Sequence, residues 1–181
     1  MSRIAALDPQ STTGKTREIL GAVEKMLGVT PNLFRVAAQS PSTLEGLVGL
    51  NGATAHGTLR AATREAIALT VAETNGCDYC LSAHSALGKG AGLSEEAIGQ
   101  ARDAASSDPK VSAILKFARS VVTLHGRVSD QELASARSAG VTDAEILETV
   151  ANVVLNIFTN YVNLVSETEI DFPVVRGRAA R

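Results

Sequence analysis

Apolar residues recur along the chain at intervals of three and four, the period of a helix with one buried face. Ile19, Leu20, Val23 and Leu27 form one such stripe and Gly28 stops it, which predicts a helix over 13–27. Thr30-Pro31-Asn32 reads as a turn, and a short helix is expected over 33–38. Ser40-Pro41-Ser42 opens another helix, to about His56, with Pro41 early enough to be tolerated. A third long helix is predicted over 61–74; Asn75-Gly76 breaks it, and helix resumes over 77–89. Ser94, followed by Glu95 and Glu96, caps a helix to about Ala104, and another covers 109–124. Ser129-Asp130 starts a short helix that stops at Gly140, and Thr142 caps the longest, over 143–170. No stretch alternates with the period two of a strand. The pattern predicts an all-α fold, one compact helical domain over 1–181 with extended termini at about 1–12 and 172–181. The tail, with Pro173, Gly177 and three arginines, is expected to fray or to dock on a neighbouring subunit.

Residues 91–98 and 139–146 echo each other at an offset of 48: a Gly stop, an apolar residue, a hydroxyl N-cap, an acid and an Ile. The echo is equally compatible with a duplication and with helix punctuation that recurs for chemical reasons.

Composition narrows the function classes. Ala alone fills 28 of 181 positions, in keeping with helix. A chain of this length buries roughly 70% of its unfolded surface, enough for a core without disulfide or metal staples. With 17 basic against 19 acidic residues there is no basic patch to suggest nucleic acid, and six aromatics without Trp make no base-stacking platform. The N-terminus shows no apolar targeting segment, and the longest apolar run, 150–165, is interrupted by Asn152, Asn156, Asn160 and Asn163, so neither leader nor membrane span is expected. The protein is read as cytoplasmic. That last run also carries Val153, Val154, Leu155, Ile157, Phe158, Val162 and Leu164 around more of a helix than one core-facing stripe needs. It predicts a homo-oligomer, with the asparagines hydrogen-bonding across the contact.

The only two cysteines stand in Cys77-Asp78-Tyr79-Cys80-Leu81-Ser82-Ala83-His84. On a helix Cys77, Cys80 and His84 share one face within about 60°. Cys77 follows the Asn75-Gly76 break, where free N–H groups and the helix dipole lower a thiol pKa. In a reducing cytosol such a pair points to redox chemistry. Zinc is disfavoured because no second Cys pair exists and His56 or His125 would complete a site only by tertiary accident. Helical flanks argue against a thioredoxin-like βαβ setting. Glu65 precedes the uncharged run 66–72, so its carboxylate is a candidate proton carrier, a partner of Arg60 or Arg64, or part of a solvated helix start.

Glu65, eleven intervening residues, then Cys77-x-x-Cys80-x-x-x-His84 resembles the signature of the alkylhydroperoxidase D-like branch of the carboxymuconolactone decarboxylase superfamily. Pro31-Asn32-Leu33-Phe34 and the chain length are similar to its peroxidase-related members, and 59–104 is the core motif region. The resemblance implies that Cys80 takes the peroxide oxygen, that Cys77 resolves the sulfenic acid to a disulfide and exchanges it with the external reductant, and that Glu65 and His84 relay protons. It implies no cofactor beyond the redox-active cysteine pair and an external dithiol or reductant protein, and assembly as a trimer or hexamer. Tyr79 stands where the best-known members carry His. A phenol is a poor proton acceptor at pH 7, so Tyr79 is assigned an auxiliary role, such as donating to a bound oxygen. The expected function is thiol-dependent hydroperoxide reduction. Alternatives are a disulfide reductase or adaptor for a peroxiredoxin, a carboxymuconolactone decarboxylase-like enzyme, and a non-catalytic metal-binding helical protein.

Overall fold

The computed structural model describes residues 2–178; Met1, Ala179, Ala180 and Arg181 lie outside them. Within that span the chain is helical, with no strand, as the apolar periodicity predicts. In chain order the helices are α1 (Gly14–Leu27), α2 (Asn32–Ala37), α3 (Pro41–Ala55), α4 (Ala61–Asn75), α5 (Asp78–Gly90), α6 (Glu95–Arg102), α7 (Pro109–Thr123), α8 (Asp130–Ser138) and α9 (Asp143–Ser166). The hydroxyls of Ser40, Ser94, Ser129 and Thr142 accept from the backbone N–H three residues on, satisfying one of the free donors at the starts of α3, α6, α8 and α9.

Both ends of the chain depart from the expectation. A 3₁₀ turn, Pro9–Ser11, forms in the N-terminal segment. α9 stops at Ser166, short of 170: Glu167 adopts φ 46° and the Thr168 N–H closes back on the Asn163 carbonyl at 3.1 Å. The tail is extended to Arg178 and docks on its own chain. Val175 N–H donates to Ser82 Oγ at 2.9 Å, Gly177 N–H to Asp78 at 2.7 Å, and Arg178 N–H to Glu73 at 2.7 Å. The last three residues of that predicted tail are outside the described residues.

The two echoed segments end their preceding helices alike. Leu93 N–H bonds the Gly88 carbonyl and Val141 N–H the Ala136 carbonyl, each at a glycine with positive φ. The same closure recurs after α4, where Cys77 N–H bonds Ala72, and after α9 at the non-glycine Glu167. The echoed segments thus share a helix stop that also occurs elsewhere in the chain.

α4 is the central helix and packs against α5, α6, α7 and α9. Residues 66–72 are buried without exception, so its uncharged run faces protein on all sides. Thr70, the one hydroxyl in that run, is spent on the carbonyls of Ala66 and Ala101, which ties α4 to α6. A second apolar cluster joins α1, α2 and α3 through Leu20, Leu44 and Leu47 to Leu155 of α9. α9 thus serves both cores, Val153 in the first and Leu155 in the second. Its four asparagines correct the oligomer reading in one respect: Asn152, Asn156, Asn160 and Asn163 are all buried inside the monomer instead of facing a contact.

Candidate functional site at the cysteine pair

The break between α4 and α5 builds the site. Gly76 takes φ 66°, a left-handed conformation that a residue with a Cβ adopts at a cost, and Cys77 follows as the N-cap of α5. Cys77 Sγ accepts from the Cys80 N–H at 3.4 Å, which folds the first turn back over the pair. The two free thiols stand 2.8 Å apart, both buried. A disulfide between them therefore asks for little backbone movement.

The two sulfurs differ in acidity. Burial alone would raise the Cys80 thiol, but hydrogen bonds from Cys77 and from the Asn163 amide, with the charge of His84, bring it down to about 7. The Asn163 amide nitrogen lies 3.3 Å from Cys80 Sγ. Cys77 is pushed up, by its hydrogen bond to Cys80, by burial and by the Cys80 charge. The expectation that the helix start acidifies Cys77 is therefore corrected: Cys77 donates, and the acidity collects on Cys80.

One turn beyond Cys80, His84 Nδ1 meets Glu65 Oε2 of α4 at 2.8 Å, with both side chains about one-fifth exposed. Burial would lower the imidazole, yet the Glu65 charge and hydrogen bond outweigh it and hold His84 above its ordinary value. Neither Arg60 nor Arg64 takes Glu65; Arg64 donates instead to the Leu59 carbonyl at 2.6 Å. Gly88 allows the close approach of α5 here, since a Cβ would stand 3.2 Å from Leu93 Cδ1 and 3.8 Å from Glu65 Cβ.

Tyr79 borders the same space as Cys80 and also anchors a neighbouring segment. Its oxygen accepts the Leu33 N–H at 3.1 Å and its ring meets Phe172 edge-on at 5.9 Å. Burial, opposed by the Leu33 bond and reinforced by Asp171, holds the phenol above its ordinary pKa. Tyr79 thus pins the turn at Pro31-Asn32-Leu33-Phe34 against α5. Cys80, His84 and Glu65 border a cavity of about 330 Å³ whose walls include Leu33, Phe34 and Leu155. The buried asparagines escaped the sequence reading as site residues. Their spacing, 152, 156, 160, 163, marks one face of an apolar helix and was the available signal. Among the described residues no cluster of three or more His, Cys, Asp or Glu side chains could hold a metal ion, and no helix is long and apolar enough to cross a membrane.

Residues 41–123, which contain Glu65, both cysteines and His84, match the carboxymuconolactone decarboxylase family. A peroxidase-related protein from Ralstonia eutropha JMP134, described as an alkylhydroperoxidase AhpD core, superposes with TM-score 0.85 at 22% identity, covering 94% of this chain and 92% of its own. The chain has the alkylhydroperoxidase D-like fold. The alkylhydroperoxidase D-like fold is shared by a peroxidase-related protein from Silicibacter sp. TM1040, with TM-score 0.78, 21% identity, and coverage of 92% of this chain and 91% of that one. It is shared too by the debrominase Bmp8 in complex with 2,3,4-tribromopyrrole, with TM-score 0.79, 19% identity, and coverage of 93% and 91%. A comparison with curated protein sequences finds no match.

Proposed function

We propose that this protein is a thiol-dependent hydroperoxide reductase working in a reducing compartment such as the cytoplasm. The observation that carries the reading is a thiol of pKa about 7, Cys80, bordering an apolar cavity with a second thiol 2.8 Å behind it. The Cys80 thiolate attacks one peroxide oxygen, the O–O bond breaks, and the alkoxide leaves as an alcohol with a proton from His84. Glu65, bonded to Nδ1, keeps His84 protonated for that step and leaves Nε2 to face the reacting atoms. Cys77 then attacks the Cys80 sulfenic acid and releases water, forming the disulfide that an external thiol reduces.

A second reading has one specific support, the shared fold with a debrominase that binds a halogenated pyrrole. Reductive removal of bromine would use the same two thiols and the same apolar cavity. Supplying purified, reduced protein with cumene hydroperoxide or with tribromopyrrole separates the two: the first reading expects alcohol formation, and bromide release with no peroxide consumption would replace it with the second.

Assembly as a trimer or hexamer is part of the same proposal. Leu147, Val154 and Tyr161, two turns apart, and Val165 one turn further are exposed on the outward face of α9, an apolar stripe of the kind that marks an interface. Light scattering at micromolar concentration tests it, and a mass near 18.8 kDa would refute it.

A further inference from the structure

Two cavities meet the cysteine pair, and they divide it. The 330 Å³ cavity is bordered by Cys80 and not by Cys77. A second cavity, of about 270 Å³, is bordered by Cys77 and not by Cys80. It lies between the start of α5, the end of α9 and the C-terminal segment, with Asp78, Leu164, Thr168 and Arg176 on its walls. Asn163 borders both.

Two residues on the walls of the second cavity carry polar atoms that the protein itself does not use. Asn163 Oδ1 and Thr168 Oγ1 are buried without a hydrogen-bond partner, on residues only 3% and 7% exposed. An orphaned buried acceptor and hydroxyl are costly unless something else satisfies them, and both residues line this space. The C-terminal segment roofs it, held by the Arg176–Asp78 ion pair at 2.8 Å, by the Val175, Gly177 and Arg178 N–H bonds to Ser82, Asp78 and Glu73, and by Arg102 on the Arg176 carbonyl. None of these bonds belongs to a helix ladder, so the segment can open locally while the helices stay folded. Cys77, 1% exposed, needs that movement before another thiol can reach its sulfur.

Resting on the thiol–disulfide cycle proposed above, we infer that this second cavity admits the reductant, a low-molecular-weight thiol with a hydrogen-bond donor near its sulfur, to Cys77, while the oxidant reaches Cys80 from the other side. A thiolate displaces the leaving sulfur of a disulfide from the opposite side, so attack on Cys77 is best made from the space that Cys80 does not border. The incoming thiolate forms a mixed disulfide with Cys77, the Cys77–Cys80 bond breaks, and Cys80 departs as a thiolate. A second thiol of the reductant then attacks the mixed disulfide at the reductant's sulfur. Cys77 leaves and takes up a proton, and the reductant departs as its own disulfide, two electrons poorer. Cys80 is the better leaving group of the pair, which favours attack at Cys77 over attack at Cys80. Asn163 Oδ1 and the Thr168 hydroxyl hold the donor of the incoming molecule.

The test separates the two half-reactions. The disulfide is formed with diamide and its reduction by dithiothreitol is followed by stopped flow. Oxidation of the reduced protein by cumene hydroperoxide is followed separately. Leu164→Trp, at a partly exposed wall of the second cavity, is expected to slow reduction by about tenfold and to change oxidation by less than about twofold. Leu87→Trp, at the exposed rim of the first cavity, is expected to do the reverse. Thr168→Val, which removes an unpartnered hydroxyl without changing shape, is expected to slow reduction by about threefold and keeps the test open if the Trp variants fold poorly. The mass of each variant in solution is checked, so that altered assembly is not mistaken for a blocked cavity. The inference is overturned if Leu164→Trp and Thr168→Val leave reduction unchanged or slow both half-reactions equally. It is also overturned if thioredoxin reduces the disulfide and dithiothreitol does not. Because diamide forms the disulfide, failure of hydroperoxide to oxidise the pair would refute the proposed function without touching this result.

Discussion

Cys77 and Cys80 belong to one turn of helix, touch each other and are both buried, yet their hydrogen-bond donors and neighbouring charges differ. Cys80 collects donors, the Cys77 thiol and the Asn163 amide, together with the charge of a histidine whose proton affinity Glu65 raises. Cys77 faces burial and the charge of its partner, which keep its proton on. The helix start, which both share, does not distinguish them; long-range partners from α4 and α9 do. The lesson is that a C-x-x-C spacing supplies two interchangeable thiols, and the tertiary fold decides which is the nucleophile.

The sharpest way to break this comparison is to remove one sulfur at a time. Cys80→Ser should reduce hydroperoxide consumption to the uncatalysed background, measured by peroxide assay. Cys77→Ser should complete one turnover and leave a sulfenic acid on Cys80, trapped with dimedone and found by mass spectrometry. A sulfenic acid on Cys77 in the Cys80→Ser protein would invert the assignment.

Next in size is the relay. Glu65→Gln keeps the shape of the side chain but removes the charge that holds His84 protonated, and is expected to slow hydroperoxide reduction by ~10²-fold, at the low end of general acid–base contributions. The rate of the unaltered protein should rise as Cys80 ionises through a pKa of about 7. In Glu65→Gln the alkaline fall, where His84 gives up its proton, should move to lower pH. An unchanged pH profile with full helicity would remove Glu65 from the mechanism.

A smaller effect is expected from the asparagine. Asn163→Leu removes a hydrogen bond to a charged sulfur, worth about 1.5 kcal/mol or roughly one pKa unit. Alkylation of Cys80 by iodoacetamide should then slow several-fold at pH 7 and little at pH 9. The smallest is Gly76→Ala. No atom lies within 4 Å of a Cβ there, so only the left-handed backbone resists. The substitution should cost about 1 kcal/mol in urea unfolding.

Much of the fold was legible because its signals are local. Hydroxyl caps at Ser40, Ser94, Ser129 and Thr142, and the Asn75-Gly76 break, act within one turn and appear in the sequence as they act in the structure. The end of α9 was not, because Glu167 stops the helix in a left-handed conformation that sequence assigns to Gly or Asn. The site divided along the same line. Cys77, Cys80 and His84 share a helix and could be grouped by spacing. The Glu65–His84 bond joins two helices, and from the residues alone Arg60 or Arg64 was as good a partner for that carboxylate. The inward face of α9 went unread for a similar reason. Asn residues on an apolar helix signal either a contact between chains or a buried polar face, and only packing against α4 and α5 decides.

The most direct measurement of the central claim is thiol titration with peptide mass spectrometry after one equivalent of an organic hydroperoxide is added to the reduced protein. The account predicts consumption of the peroxide, loss of both thiols, and a Cys77–Cys80 disulfide within the chain. Both thiols intact beside unconsumed peroxide would contradict it.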